Sequence, residues 1–256
     1  MKVIILAGGK ASTIEDGTIG VPKPMATIGE KPILWHIMKN YSTYGINDFI
    51  ICGGYKVNMI KDYFADYYLY QSDITVNLQT NEIQIHKKKT ENWNVTIKDT
   101  GLHSTTGDRL AAVKNYIDDD EFIVTYGDVL SNVDVQQLMS EYHKQKPDAM
   151  AVVAKPTGRS HLLSIDEDMN LLGKQSANEI GNNIWTSAGT FVFNRKVFDY
   201  LQPGDELEGA CLQKMELDKK VRAYKHHDFY MAIETFKQKT EAEQLWKDAK
   251  APWKVW

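Results

Sequence analysis

The chain opens on an apolar run without helical period, Val3-Ile4-Ile5-Leu6, that ends in Ala7-Gly8-Gly9. Such a run predicts a strand buried on both faces, with a tight glycine turn behind it. Ile33, Leu34, Ile37, Met38 and Tyr41 recur at helical spacing, so a helix is expected over 33–44, closed by Gly45. A second apolar run at 48–52 ends in Gly53-Gly54, which makes the opening order β-α-β. That order implies parallel strands joined by a right-handed crossover. Ile60, Tyr63, Phe64 and Tyr67 place the next helix over 57–69.

From 73 to 89 the pattern becomes alternation. Ile74, Val76 and Leu78, then Ile83 and Ile85, alternate with polar residues, which predicts half-buried strands paired as a hairpin. Further strands are expected at 94–99, 122–125, 149–154, 162–166 and 186–193, and helices at 109–116, 133–144 and 235–246. Thr105-Thr106-Gly107-Asp108 offers an N-cap for the first of these helices. The strand at 122–125 runs into Tyr126-Gly127-Asp128. No repeat, low-complexity tract or linker interrupts the pattern, so 1–256 reads as one α/β domain.

Composition narrows the function classes. With 256 residues, 43% hydrophobic and 25% charged, the chain has the make-up of a soluble globular protein. A formal net charge of −4 leaves no basic footprint for nucleic acid. Cys52 and Cys211 are too few for a disulfide framework and lack metal-ligand spacing; Cys52, after Phe49-Ile50-Ile51, reads as a buried thiol. No run approaches the roughly 18 apolar residues of a membrane span, and the first apolar run is too short for a secretory signal. A reducing cytoplasm is the expected setting.

The candidate chemistry gathers at strand ends. Gly8-Gly9 lets a ligand approach the backbone, whose N–H groups can cradle an anion such as phosphate. Pro22 and Pro24 fix φ on either side of Lys23, a stiff mount for a charge. Ligands of open α/β sheets bind beyond the carboxyl ends of the strands, so Gly8-Gly9 and Asp128 are expected on one rim. Asp128 reads as a metal ligand or as a cap of the following turn. Arg109 reads as an anion contact or a solvated residue, and His36 as a core or interface histidine. His226-His227-Asp228 are neighbours that point apart on a strand, which argues against a metal site. The acidic run at 118–121 reads as a solvated loop. Tyr63, Phe64, Tyr67, Tyr68 and Tyr70 exceed what one helix face can bury and point to a subunit contact. No Ser-His-Asp, Cys-His or zinc-type constellation is visible.

Taken together, Leu6-Ala7-Gly8-Gly9, Pro22-Lys23-Pro24-Met25, Trp93-Asn94-Val95-Thr96, Asp99-Thr100-Gly101, Thr106-Gly107, Tyr126-Gly127-Asp128 and Ala251-Pro252-Trp253-Lys254 carry a family likeness. The sequence resembles the sugar-1-phosphate nucleotidyltransferases, and within them the glucose-1-phosphate cytidylyltransferases, from Lys2 to Trp256. The resemblance implies a Rossmann-like, three-layer α/β fold with a mixed, mostly parallel central sheet, and a homo-oligomer. It implies transfer from a nucleoside triphosphate, here CTP, to a sugar 1-phosphate or other phosphorylated small molecule, with release of pyrophosphate and with Mg²⁺ as cofactor. By the same likeness Lys23 and Asp128 are catalytic, and Leu6, Ala7, Gly8, Gly9, Lys23, Thr106, Gly107, Arg109 and Asp128 bind the nucleotide. Asp128 and Glu234 hold the metal; Tyr126, Gln175 and Ser187 meet the acceptor, and His161 follows a loop near the sugar.

Several positions depart from the family pattern. The glycine, threonine and arginine that continue the family's loop are replaced by Ala11, Ser12 and Thr13, with Glu15 and Asp16 beside them. Acidic residues there repel a triphosphate. A family glycine near the base falls at Asp108, the Glu-Lys pair for the sugar phosphate at Gln175-Ser176, and an Asn-Gly pair at Ser187-Ala188. Glu234 stands where the family has an aspartate. These departures imply either an enzyme with an altered acceptor or a silent relative that binds a nucleotide or partners an active homologue.

Overall fold

The computed structural model describes residues 1–9, 20–88, 90–156, 161–165, 171–176 and 185–256. Seven strands build the central sheet: β1 (Lys2–Ala7), β2 (Asp48–Gly53), β3 (Asn94–Asp99), β4 (Glu121–Tyr126), β5 (Ala149–Ala154), β6 (Thr186–Asn194) and β7 (Val221–His226). Their spatial order is β7-β5-β6-β4-β1-β2-β3. Only β6 runs antiparallel to its neighbours in this sheet. The mixed, mostly parallel sheet expected from the sequence is therefore present.

The continuous apolar strands make sense because the sheet is covered on both faces. Val3 and Ile5 of β1, with Phe49 and Ile51 of β2, face a core closed by α1 (Ile33–Thr43), α4 (Val135–Gln145) and α6 (Phe236–Lys247). Ile4 and Leu6, with Ile50 and Cys52, face the opposite core under α3 (Thr106–Ala112) and α5 (Leu212–Leu217). The result is three layers. The remaining long helix, α2 (Val57–Ala65), follows β2. Cys52 is buried as expected, and burial pushes its thiol up to about 12, so it stays protonated.

Two expectations need correction. The helix expected over 57–69 breaks at Asp66, and a separate turn, Tyr67–Tyr70, follows. The hairpin does form, from Ser72–Asn77 and Glu82–Lys88, but its apolar face is not half-buried. Ile74, Val76, Leu78 and Ile83 are exposed, Leu78 by 86%. Alternation states that one face is apolar; it does not state what covers that face.

His36 settles on the core side. It is fully buried on α1, with Nε2 2.9 Å from the Ile28 carbonyl. The rings of Trp35, Trp246, Trp253 and Trp256 surround it, Trp246 at 4.7 Å between centroids. Burial lowers its pKa, so the imidazole is held neutral. Gly29 has φ +59°, and a Cβ there would lie 2.3 Å from Trp246 Nε1, so only glycine lets α6 close over this cage.

Candidate active site

A cleft of about 610 Å³ opens at the carboxyl ends of β1 and β4. Leu6, Ala7, Gly8 and Gly9 line it from β1, and Tyr126, Gly127 and Asp128 from β4. The expected common rim is thus present. Gly127 donates its N–H to the Leu6 carbonyl at 2.9 Å. A Cβ on it would lie 3.0 Å from Pro24 and 3.2 Å from the Ala7 Cβ. Glycine at 127 therefore lets the end of β4 hug both β1 and the proline segment.

Lys23 sits in a 3₁₀ turn, Lys23–Met25, not in extended chain. Pro22 enters it at φ −62°, its carbonyl accepts from the Met25 N–H at 2.8 Å, and Pro24 is buried. The two prolines thereby fix where the lysine emerges. Its Nζ lies 3.6 Å from Asp128 Oδ2.

Burial pushes the Asp128 carboxyl above its ordinary range; Lys23 works against that rise and Glu234 adds to it. Glu234 comes near because Tyr230–Ala232 pairs antiparallel with Val129–Ser131, and the Ile233 N–H donates to the Asp128 carbonyl at 2.8 Å. Asp128 lines the cleft, and Glu234, exposed, stands outside its lining; Mg²⁺ takes one or two protein carboxylates and completes its shell with substrate oxygens and water. Among the described residues no group of three or more Asp, Glu, His or Cys could cage a metal. The donor set fits a shared ion, not a closed structural site.

The other expected site residues divide. Thr106, Arg109 and Tyr126 also line the cleft. Burial, then the neighbouring charge of Glu208, pushes the Tyr126 phenol upward and keeps it protonated. The amides of Thr106 and Gly107 are taken up by the chain itself. Thr106 donates N–H and Oγ1 to Glu206 Oε2 at 3.3 and 2.6 Å, and the Gly107 N–H donates to the Asp205 carbonyl at 3.1 Å. Gly107 faces that carbonyl, where a Cβ would come within 2.4 Å, and does not line the cleft. Arg109 is not solvated: it is buried, and its donors go to main-chain carbonyls and Thr100. Ser187 lies on β6, its Oγ accepting from the Gly189 N–H, and is not part of the cleft lining. The side chains of Gln175 and His161, and all of residues 11–16, lie outside the described residues.

His226 and His227 do part, as expected of strand neighbours. His226 is buried against the Phe229 carbonyl, and His227 packs on Trp185. The lining also includes Leu102, His103, Ser104, Thr105 and Glu206, which the sequence reading had not singled out as ligand contacts. Thr105 and Asp108 had a legible signal, since together they form a capping box. Glu206 had none.

A family model described as nucleotidyl transferase matches residues 2–162. The chain belongs to the nucleotidyl transferase family. It is 40% identical over 258 residues to glucose-1-phosphate cytidylyltransferase of Salmonella typhi, with all of both chains covered. It is 37% identical over 259 residues to the probable glucose-1-phosphate cytidylyltransferase of Bacillus subtilis (strain 168), again over all of both. Among solved structures, the fold of this nucleotidyl transferase is shared with HddC of Yersinia pseudotuberculosis in complex with GMP-PN. The TM-score there is 0.65 at 20% identity, covering 96% of this chain and 99% of that one. Apo UDP-glucose pyrophosphorylase gives 0.68 at 13% identity over 98% and 99%. At such identities these two speak for the fold alone.

Proposed function

We propose that the cleft transfers a nucleotidyl group from a nucleoside triphosphate, CTP in the first instance, to a sugar 1-phosphate with release of pyrophosphate. The observation that carries this reading is the meeting of Lys23 and Asp128 beside the Gly8-Gly9 turn. The full-length likeness to glucose-1-phosphate cytidylyltransferases supports the base and the acceptor class. An acceptor phosphate is already anionic, so the reaction needs no base. One P–O bond to the α-phosphorus forms as the bond to pyrophosphate breaks, and catalysis is positioning and charge neutralisation. In this reading the backbone at Gly9 and the Lys23 ammonium meet phosphate oxygens. Asp128 and Glu234 would hold Mg²⁺, which supplies further charge neutralisation when bound.

The test is pyrophosphate release with Mg²⁺, each of the four ribonucleoside triphosphates, and a panel of acceptors including glucose 1-phosphate and amine-bearing sugar phosphates. Release with CTP that stops on chelation, and falls roughly 10²–10³-fold in Lys23→Ala, is expected. A protein stabilised by CTP against unfolding but releasing no pyrophosphate would instead be a silent binder, the reading to which the substituted loop at 11–13 lends weight.

We further propose that a second copy of the chain covers the hairpin. Tyr68, Tyr70, Ile74, Val76, Leu78 and Ile83 are each exposed, Val76 and Ile83 face each other across the hairpin, and a two-stranded hairpin with an uncovered apolar face is marginal in water. Light scattering is expected to give an oligomer that Leu78→Glu with Ile83→Glu dissociates. A wild-type monomer at micromolar concentration would overturn this.

A further inference from the structure

Arg109 holds a position that neither a ligand contact nor a surface residue requires. It is 4% exposed, and no described carboxylate forms an ion pair with it. Its charge is instead taken up by chain oxygens. Nη2 donates to the Gly8 carbonyl at 2.6 Å and reaches the Leu102 carbonyl at 3.5 Å. Nη1 donates to Thr100 Oγ1 at 2.7 Å, the Gly101 carbonyl at 2.8 Å and the Gly53 carbonyl at 3.2 Å. These acceptors belong to the chain ends of β1, β2 and β3, three adjacent parallel strands. Thr100 already joins the end of β2 to the segment after β3, its N–H and Oγ1 both donating to the Gly53 carbonyl; the planar guanidinium adds the Gly8 end of β1 and ties all three strand ends together.

The neighbouring glycines fit this clamp. A Cβ on Gly8 would lie 2.0 Å from Arg109 Nη1 and 2.2 Å from Cζ. A Cβ on Gly54 would lie 2.7 Å from the Gly8 carbonyl oxygen and 2.8 Å from Nη1. A Cβ on Gly9, by contrast, would meet none of the described residues within 4 Å. Glycine at 8 and 54 therefore makes room for the guanidinium. The peptide joining Gly8 and Gly9 is planar and trans. With its carbonyl held by Arg109, its N–H points the opposite way.

We propose that Arg109 is a positioning residue: through the chain oxygens it holds, it fixes the Gly8-Gly9 segment and so the Gly9 N–H that would meet phosphate. This rests on the nucleotidyl-transfer reading. The test compares the full chain carrying Arg109→Lys, Arg109→Met, Gly8→Ala, and Gly8→Ala with Arg109→Met, by CTP and glucose 1-phosphate kinetics and by hydrogen exchange. Arg109→Lys is expected to stay folded, to raise the KM for CTP about tenfold or more and to leave the KM for glucose 1-phosphate within about twofold. Exchange at 6–9, 53–54 and 100–102 should rise together while β5 and β6 stay protected. Gly8→Ala should mimic the arginine variants, and the double variant should be no worse than the worse single, because the new methyl enters vacated space. Effects that multiply in the double variant, or loops whose exchange does not change, would overturn the clamp. A wild type that releases no pyrophosphate would overturn the transferase reading, and the exchange comparison would still decide the clamp.

Discussion

Asp128→Asn is expected to slow turnover roughly 10²–10³-fold and, in the same protein at pH 7, to raise the unfolding temperature. The two effects share a cause. The carboxyl is half-buried just beyond β4, next to the like charge of Glu234, and the Lys23 ammonium at 3.6 Å only partly offsets those costs. Its folded pKa therefore lies above the unfolded value near 3.9. In the window between the two, the folded state holds the proton that the unfolded state has lost, so stability falls as pH rises through it. The full cost is present above the folded value, and none remains below the unfolded one. Asparagine mimics the protonated form, so its advantage should be present at pH 7 and vanish in acid below about pH 4. Removing the charge also leaves Mg²⁺ only a neutral amide oxygen and takes away the anionic partner of Lys23, and a loss of roughly 10²–10³ in rate follows. Thermal unfolding with and without Mg²⁺ checks both halves: the ion should stabilise the wild type and leave the variant unmoved. An Asn variant that melts lower at pH 7 would mean that attraction to Lys23 outweighs burial.

The strands that build this rim were legible because they are buried on both sides. The apolar runs ending at Leu6, Cys52 and Thr125 each announce a central strand within a residue or so of its observed end. β7 was not legible. It is an edge strand, and Arg222 and Lys225 are exposed where a central strand would carry apolar residues. The helical pattern at 57–69 runs through the break at Asp66 because Tyr67 continues on the same apolar side, packing against Tyr63 and Phe64. At the site, residue types were readable but their partners were not. A lysine between prolines and an aspartate after a glycine announce themselves. That Glu206 folds back on Thr106 from one hundred residues away does not, because the segment at 205–207 carries no periodic signal. Arg109 shows the same limit. A sequence presents a cation at a helix start, and only the fold reveals four carbonyls turned toward it.

Trp253→Ala should be the most damaging single change to stability, at about 3–5 kcal/mol, which lowers Tm by roughly 10 °C or more in a chain of this length. The side chain is 1% exposed and is among the largest fully buried ones. Its ring packs on Phe229 at 5.6 Å and on His36 at 6.3 Å, and its carbonyl accepts from Asn40 Nδ2 at 3.3 Å. The end of the chain is thereby pinned to α1 and to the segment leading into Tyr230–Ala232. Trp253→Phe should be much milder. Its volume loss is smaller, and it removes an indole N–H that finds no acceptor among the described residues, a group whose burial costs about 1–3 kcal/mol. The two variants separate packing from polar satisfaction in a chemical-denaturation measurement; equal losses would mean that the N–H is satisfied after all. The change should also reach the cleft. Phe229 anchors the chain that runs through the pairing with Val129–Ser131 to Glu234, and that pairing sets Glu234 beside Asp128. Alanine at 253 should therefore raise the Mg²⁺ concentration needed for half-maximal rate, even at temperatures where the variant remains folded, while phenylalanine should leave it near the wild-type value.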